Sequence, residues 1–281
     1  MLRRTYHTAA PRHSTGVVCW DLILVALLAA VVVAAIWLFT APPAWFPAPI
    51  SALATAFDAQ FQRTLWLTGF AFLAVQILLI YILLRYCNRA NAPAKFTGNQ
   101  RLEILWTSIT AVLFFGLALM GMPVFTVPRL GPEPPGAELI EVNAHQFAWN
   151  FRYPGPDGKL GRTRLNLISD AGGNPLGLDP SDPAAKDDIV VSTLRVPVGR
   201  DIVLTLKSRD VIHDFFVREL RVKQDVVPGM DIPFRFRAEH TGSFEIACAE
   251  LCGLGHSQMR AVMLVMPAAD YERWKKNPSP R

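Results

Sequence analysis

No Cys-x-x-Cys-His run occurs in the 281 residues, which excludes a c-type haem attached to this chain. No internal repeat is present. The second half carries no excess charge of either sign: from Glu138 onward, 19 acidic and 19 basic residues cancel. The formal charge of +5 therefore belongs wholly to residues 1–137, and nucleic acid as a partner, which needs a basic face on a soluble domain, is excluded. Cysteine is scarce, at four residues. Two of them, Cys19 and Cys87, sit near the ends of apolar runs without ligand partners in spacing and read as structural.

What is abundant is apolar side chain. A hydrophobic share of 51% and a mean hydropathy of +0.26 are too high for an ordinary soluble enzyme, while the length is too short for a many-helix transporter. Three apolar runs, 17–40, 65–84 and 104–125, each reach the roughly 20 residues a membrane helix needs. Arg3, Arg4 and Arg12 precede the first run, and Arg85, Arg89, Lys95 and Arg101 separate the second from the third. The positive-inside rule puts those segments in the cytoplasm and everything after the third run outside. The first run also has features of a secretory signal, but its core over 22–39 is longer than the roughly 7 to 15 residues of a signal core, so a retained helix is the expectation. Asp21 lies near an interface, where a carboxylate is tolerable.

The expected organisation is 1–63 as a basic start, first helix and external connection, then 64–126 as a transmembrane helical hairpin. Residues 127–136 (VPRLGPEPPG), with four prolines and two glycines, read as a linker that cannot continue the third helix. From 137 to 268 short β-branched and aromatic runs at 139–153, 192–198, 201–207, 232–238, 243–247 and 260–266 predict an antiparallel all-β sandwich, leaving 269–281 as a tail. Glu239, His240, Thr241 and Gly242 look like a hairpin loop between 233–237 and 243–247. Residues 154–188, rich in Gly, Pro and Asp, read as a long surface excursion. Strand pattern alone does not separate a cupredoxin-like Greek key from an immunoglobulin-like sandwich.

The chemistry concentrates in CAELCGLGHSQM, which places Cys248, Cys252, His256 and Met259 in one loop between two strands, with His213 35 residues earlier. Two thiolates, two imidazoles and a thioether are the soft and borderline ligands that select copper. A mononuclear blue-copper centre would use one cysteine; two sulfurs could bridge a pair of ions sharing one unpaired electron. A disulfide between Cys248 and Cys252 and a four-coordinate zinc site with His213 and His256 are the plainer readings, and the second leaves Met259 idle.

The motif Cys-x-Glu-x-Cys-x-x-x-His-x-x-Met, preceded by Asp-Val-Ile-His at 210–213, resembles the binuclear copper centre of the cytochrome c oxidase subunit II family. The likeness extends through LRVKQDVVPGM at 220–230, the strand at 146–153 and the last two membrane runs, roughly 61–274 in all. It implies a cupredoxin-like domain outside the plasma membrane of a bacterium, on the periplasmic side of a multi-pass chain. It also implies that electrons from cytochrome c cross a copper A centre to haem in a separate catalytic subunit I, supporting oxygen reduction and proton pumping among the other oxidase subunits. No catalytic residue for oxygen is expected on this chain.

By the resemblance, Cys248 and Cys252 bridge two coppers, His213 and Met259 complete one ion, and His256 with the Glu250 carbonyl completes the other. The Glu250 side chain would reach a magnesium ion shared with the catalytic subunit. Glu103, in LEILWT, stands where the helix dipole favours a carboxylate; the family likeness makes it the entrance of a proton channel. In HQFAW, strand alternation would put Phe147 and Trp149 on one face. Where the family commonly has Trp-x-Trp, with the first Trp receiving electrons, this chain has Phe147, leaving Trp149 as the weaker candidate. Asp210, Asp214, Glu219 and Asp225 are interleaved with Arg209, Arg218, Arg221 and Lys223, so a docking charge is not predictable from sequence.

Overall fold

The computed structural model describes residues 20–40, 46–86 and 98–278. Cys19, Cys87, the basic residues at 3, 4, 12, 89 and 95 and the side chain of Asp21 lie outside the described residues. The chain divides into two compact units, residues 1–43 with 63–103, and residues 44–62 with 104–281.

Three long helices come first: α1 (Trp20–Thr40), α2 (Ala52–Tyr86) and α3 (Gln100–Leu130). Helix α1 carries no charged residue after Asp21. Helices α2 and α3 are both long and apolar enough to cross a membrane. Each begins on a capping side chain: Ser51 Oγ accepts from Ala54 N at 3.0 Å, and Asn99 Oδ1 accepts from Arg101 N at 3.1 Å.

Helix α2 starts 13 residues before the apolar run that announced it, because its first turns carry Asp58, Gln60, Gln62 and Arg63, which break the apolar pattern while the helix continues. Those turns pack on the soluble domain. Ile50 and Ala54 are buried, Glu239 N donates to Ile50 O at 2.8 Å, and Arg221 clasps Asp58 at 2.8 Å. The supposed external connection is thus partly a structural strap. Helix α3 runs four residues into the supposed linker; Pro128 falls inside its last turns, with Arg129 and Leu130 still helical.

The soluble part is a sandwich of two five-stranded sheets. One has the order β3 (Ile189–Val191), β2 (Ala148–Tyr153), β1 (Glu138–His145), β5 (Asp201–Ser208), β8 (Ile232–Arg237). The other has the order β4 (Thr193–Pro197), β10 (Arg260–Met266), β9 (Gly242–Cys248), β6 (His213–Val217), β7 (Val222–Val226). Trp149, Phe151, Leu204 and Phe234 of the first sheet and Leu194, Phe215, Ile246 and Met263 of the second belong to one buried core. Burial of such side chains stabilises by roughly 1.5–3 kcal/mol each, which makes this core the main driving force of the fold.

Three expectations are corrected. The ladder is mixed, since β1 runs parallel to β5 and β4 parallel to β10. The 139–153 run is two strands, folded back at Gln146 and Phe147 so that His145 faces Ala148. The segments at 233–237 and 243–247 form no hairpin: β8 pairs with β5, whereas β9 pairs with β10 and β6. Residues 238–241 therefore carry the chain from one sheet to the other, as a Greek-key sandwich requires.

The excursion over 154–188 is as irregular as its composition, with short 3-10 turns at Leu165–Leu167 and Pro183–Ala185. A terminal helix, α4 (Ala268–Lys276), replaces the expected plain tail and seats Tyr271 and Trp274, the latter edge-on to Tyr153 at 5.0 Å.

Candidate metal centre

Strand pairing brings the donors together. Phe215 of β6 lies opposite Cys248 of β9, and Ala249 N donates to Asp214 O at 3.1 Å, so His213 at the start of β6 stands beside the end of β9. The loop from Cys248 to Met259 is closed at its neck by Cys248 N donating to Met259 O at 3.2 Å. A 3-10 turn at His256–Gln258 returns His256 and Met259 toward the two cysteines.

The result is one cluster of donors. Cys248 Sγ lies 3.9 Å from His213 Nδ1, 3.1 Å from the Glu250 carbonyl oxygen and 3.8 Å from Cys252 Sγ. Cys252 Sγ lies 3.7 Å from His256 Nδ1 and 3.8 Å from Met259 Sδ. His213 and Met259 are fully buried, and Cys248 and Cys252 nearly so. The six groups named from the sequence are thereby linked, each in close contact with a cysteine sulfur.

The arrangement separates the plainer readings. A sulfur–sulfur distance of 3.8 Å is far beyond the roughly 2.05 Å of a disulfide. Five side-chain donors and a carbonyl exceed the four ligands of a structural zinc site, and Met259 sulfur faces the cluster rather than standing idle. Burial, reinforced by Cys248, pushes the Cys252 thiol up to about 11, so a bound cation is what would hold it as the thiolate. The donor set fits a soft, redox-active metal such as copper.

Supporting contacts fix the donors. His213 Nε2 sits 2.9 Å from Asp210 Oδ1, leaving Nδ1 toward the sulfurs. Burial would raise the Asp210 carboxyl, but hydrogen bonds from Gln146 N, His213 and Val211 N hold it below the usual carboxylate range. Gln146 also donates through Nε2 to Cys252 O at 2.6 Å, bridging the β1–β2 turn to the ligand loop. Sequence reasoning missed this role of Gln146; its only signal was a polar residue between His145 and an aromatic run.

Phe147 and Trp149 do not share a face, because the turn at 146–147 interrupts the alternation. Phe147 is 39% exposed and lies on the ligand loop, so close that a Cβ at Gly255 would fall 2.4 Å from its ring. Gly253, at φ +134°, is required both by its backbone and by the same ring. Trp149 is buried, edge-on to the His213 ring at a centroid distance of 6.2 Å.

The carboxylates offered for docking are mostly spoken for. Asp210 serves His213, and Glu219 pairs with Arg218 at 3.2 Å. Asp214 is buried, and its carboxyl is pushed up to about 7 by burial and by Asp225 across the β6–β7 ladder. Glu103 occupies the first turn of α3, its carboxylate folded back toward Gly98. The Glu250 side chain is exposed.

Residues 139–266 match the family model for the cytochrome c oxidase subunit II periplasmic domain, and residues 40–124 match the model for its transmembrane domain. Among curated relatives, the alternative cytochrome c oxidase subunit 2 of Bradyrhizobium diazoefficiens is 38% identical over 234 residues, covering 82% of this chain and 83% of its own. Cytochrome c oxidase subunit 2 of Cereibacter sphaeroides is 29% identical over 225 residues, 74% of each chain. Among solved structures, the periplasmic domain of subunit II of the Bradyrhizobium japonicum cytochrome oxidase is 26% identical, with a TM-score of 0.38, and covers 51% of this chain and 94% of that one. With both its membrane and its soluble parts matched, this chain belongs to the cytochrome c oxidase subunit II family.

Proposed function

We propose that this chain receives electrons from cytochrome c at a binuclear copper centre and passes them to haem in the catalytic subunit. The observation that carries the reading is the convergence of His213, Cys248, Cys252, His256, Met259 and the Glu250 carbonyl at one end of the sandwich. A copper pair bound there would supply one-electron transfer with little change in bond length. The protein's part is to exclude water, through the burial of His213 and Met259, and to fix both ends of the ligand loop so that oxidation and reduction need little rearrangement.

The surface position of Phe147 over the ligand loop favours it over buried Trp149 as the side chain where electrons arrive. The exposed Glu250 carboxylate is free to join a magnesium site shared with the catalytic subunit I. Glu103, at the amino end of α3, would serve as the proton-channel entrance of that subunit. The helices anchor the chain in a bacterial plasma membrane, and the distribution of basic residues favours a periplasmic position for the sandwich. Residues 137–268 are the copper domain in this reading.

The test is electron paramagnetic resonance of the copper-loaded intact chain, because residues 46–62 are part of the soluble fold. Hyperfine structure from one electron shared by two copper nuclei is expected. A mononuclear signal, or no copper uptake, would sink the proposal.

A further inference from the structure

Helix α3 has 31 residues, which at about 1.5 Å per residue exceeds the roughly 30 Å hydrocarbon core by several turns. Its polar start, with Arg101 and Glu103, belongs at one interface. About 20 residues of apolar helix later, the turns from Phe125 to Leu130 have reached the headgroup layer of the other. There α3 borders a cleft of about 360 Å³ against the outer strand β8. That volume lies within the range of small-ligand sites.

The walls and rim differ in chemistry. Leu53, Val127, Pro128 and Phe236 make apolar walls, while Arg235 and Arg237 supply two guanidinium groups. Arg235 donates through Nη1 to Arg129 O at 3.1 Å, which fixes it at the carbonyl end of α3. Its Nε is buried without a hydrogen-bond partner. Arg237 is exposed and makes no ion pair among the described residues. Asp201, opposite Arg237 in the ladder, also lines the cleft and leaves it with one net positive charge.

Resting on the membrane placement proposed above, we infer that this cleft binds the phosphate of an anionic phospholipid of the outer leaflet, with the upper acyl chain against the apolar walls. Guanidinium is the weakly hydrated, forked donor suited to phosphate, and it is placed here at the depth where phospholipid phosphates lie. A free phosphate ion would leave the apolar walls uncovered. A lipid satisfies both surfaces at once.

The experiment uses the intact oxidase complex in mild detergent. Native mass spectrometry would count retained lipid after addition of phosphatidylglycerol or phosphatidylcholine, with and without inorganic phosphate. Preferential retention of one phosphatidylglycerol is expected. Removing one guanidinium should weaken retention about five-fold in Arg237→Gln, which leaves the α3 contact intact, and more in the Arg235→Gln and Arg237→Gln double variant.

Equal retention of both lipids, or of phosphatidylglycerol by parent and variants alike, would overturn the inference. Displacement by millimolar phosphate would reassign the site to the free ion. Retention by the isolated chain but not by the complex would mean that a partner subunit covers the cleft, and the lipid assignment would fall. Protease access to the sandwich from the outside of intact cells stripped of outer membrane checks the membrane placement separately. An accessible domain with no lipid preference defeats this inference alone.

Discussion

The carboxylate of Asp210 holds the His213 ring by its Nε2 at 2.9 Å, so the nitrogen left facing Cys248 is Nδ1. A histidine ligand oriented by a carboxylate binds metal more tightly, and loss of such a partner typically lowers affinity or activity 10- to 100-fold. Asp210→Ala is expected to lower copper affinity by about that factor, with Asp210→Asn intermediate because the amide keeps a hydrogen bond. Competitive copper titration of the apo chain measures it. Unchanged affinity in Asp210→Ala would mean the ring is held by packing against Trp149 alone.

The ring of Phe147 fills the space over the ligand loop where any side chain at Gly255 would go. Gly255→Ala should destabilise the copper domain by about 1–3 kcal/mol through overpacking and loosen the loop. The double variant Gly255→Ala, Phe147→Ala should recover part of that loss, since the two positions touch and their effects are coupled. Urea unfolding of the three variants gives the coupling. Strict additivity would show that the clash is relieved elsewhere.

The candidate metal donors were legible because five of the six sit in one twelve-residue loop whose residue types announce their chemistry, and His213 is marked by its Asp-Val-Ile-His setting. What carries them was not. Alternation placed Phe147 beside Trp149, and only the pairing of His145 with Ala148 shows the chain turning between them. Ser243 and Phe234 lie near each other in sequence but in different sheets, a choice made by the β5 and β10 surfaces that each strand buries against. The start of α2 escaped notice because its first turns are polar, with Asp58 held by Arg221 of the sandwich and Gln60 bonded to Leu117 O of α3, so hydropathy saw an interruption where the helix continues.

Arg221 is nearly buried and ties α2 to the sandwich, donating to both oxygens of Asp58 at 2.8 Å and to Pro47 O at 2.7 Å. Breaking a buried ion pair from one side costs about 3–5 kcal/mol; Asp58 keeps a quarter of its surface in water, which puts Arg221→Ala nearer about 2–3 kcal/mol. Asp58→Asn should cost less, because the Pro47 contact survives. Denaturant midpoints of the intact chain in detergent check the order. An Asp58→Asn loss as large as that of Arg221→Ala would contradict the strap.

Glu141 is a buried carboxylate whose environment gives stability a definite pH dependence. Burial raises its pKa, but the Asn143 hydrogen bond at 2.9 Å, Lys207 at 3.1 Å and Arg152 at 3.5 Å together hold it below the usual value. The folded state therefore binds fewer protons than the unfolded one around the unfolded pKa of about 4.3. The stability this contributes is present above that value and is lost as pH falls through the lower folded value. Glu141→Gln should be about 2 kcal/mol less stable at pH 7, since Arg152 and Lys207 lose a charge partner while Arg152 keeps Asp188. The gap should close as pH drops below about 4, where the parent protonates Glu141 itself. Urea unfolding of both proteins at pH 7, 5 and 3.5 tests the slope, and a gap that stays constant across the series would mean that Glu141 acts through packing rather than charge.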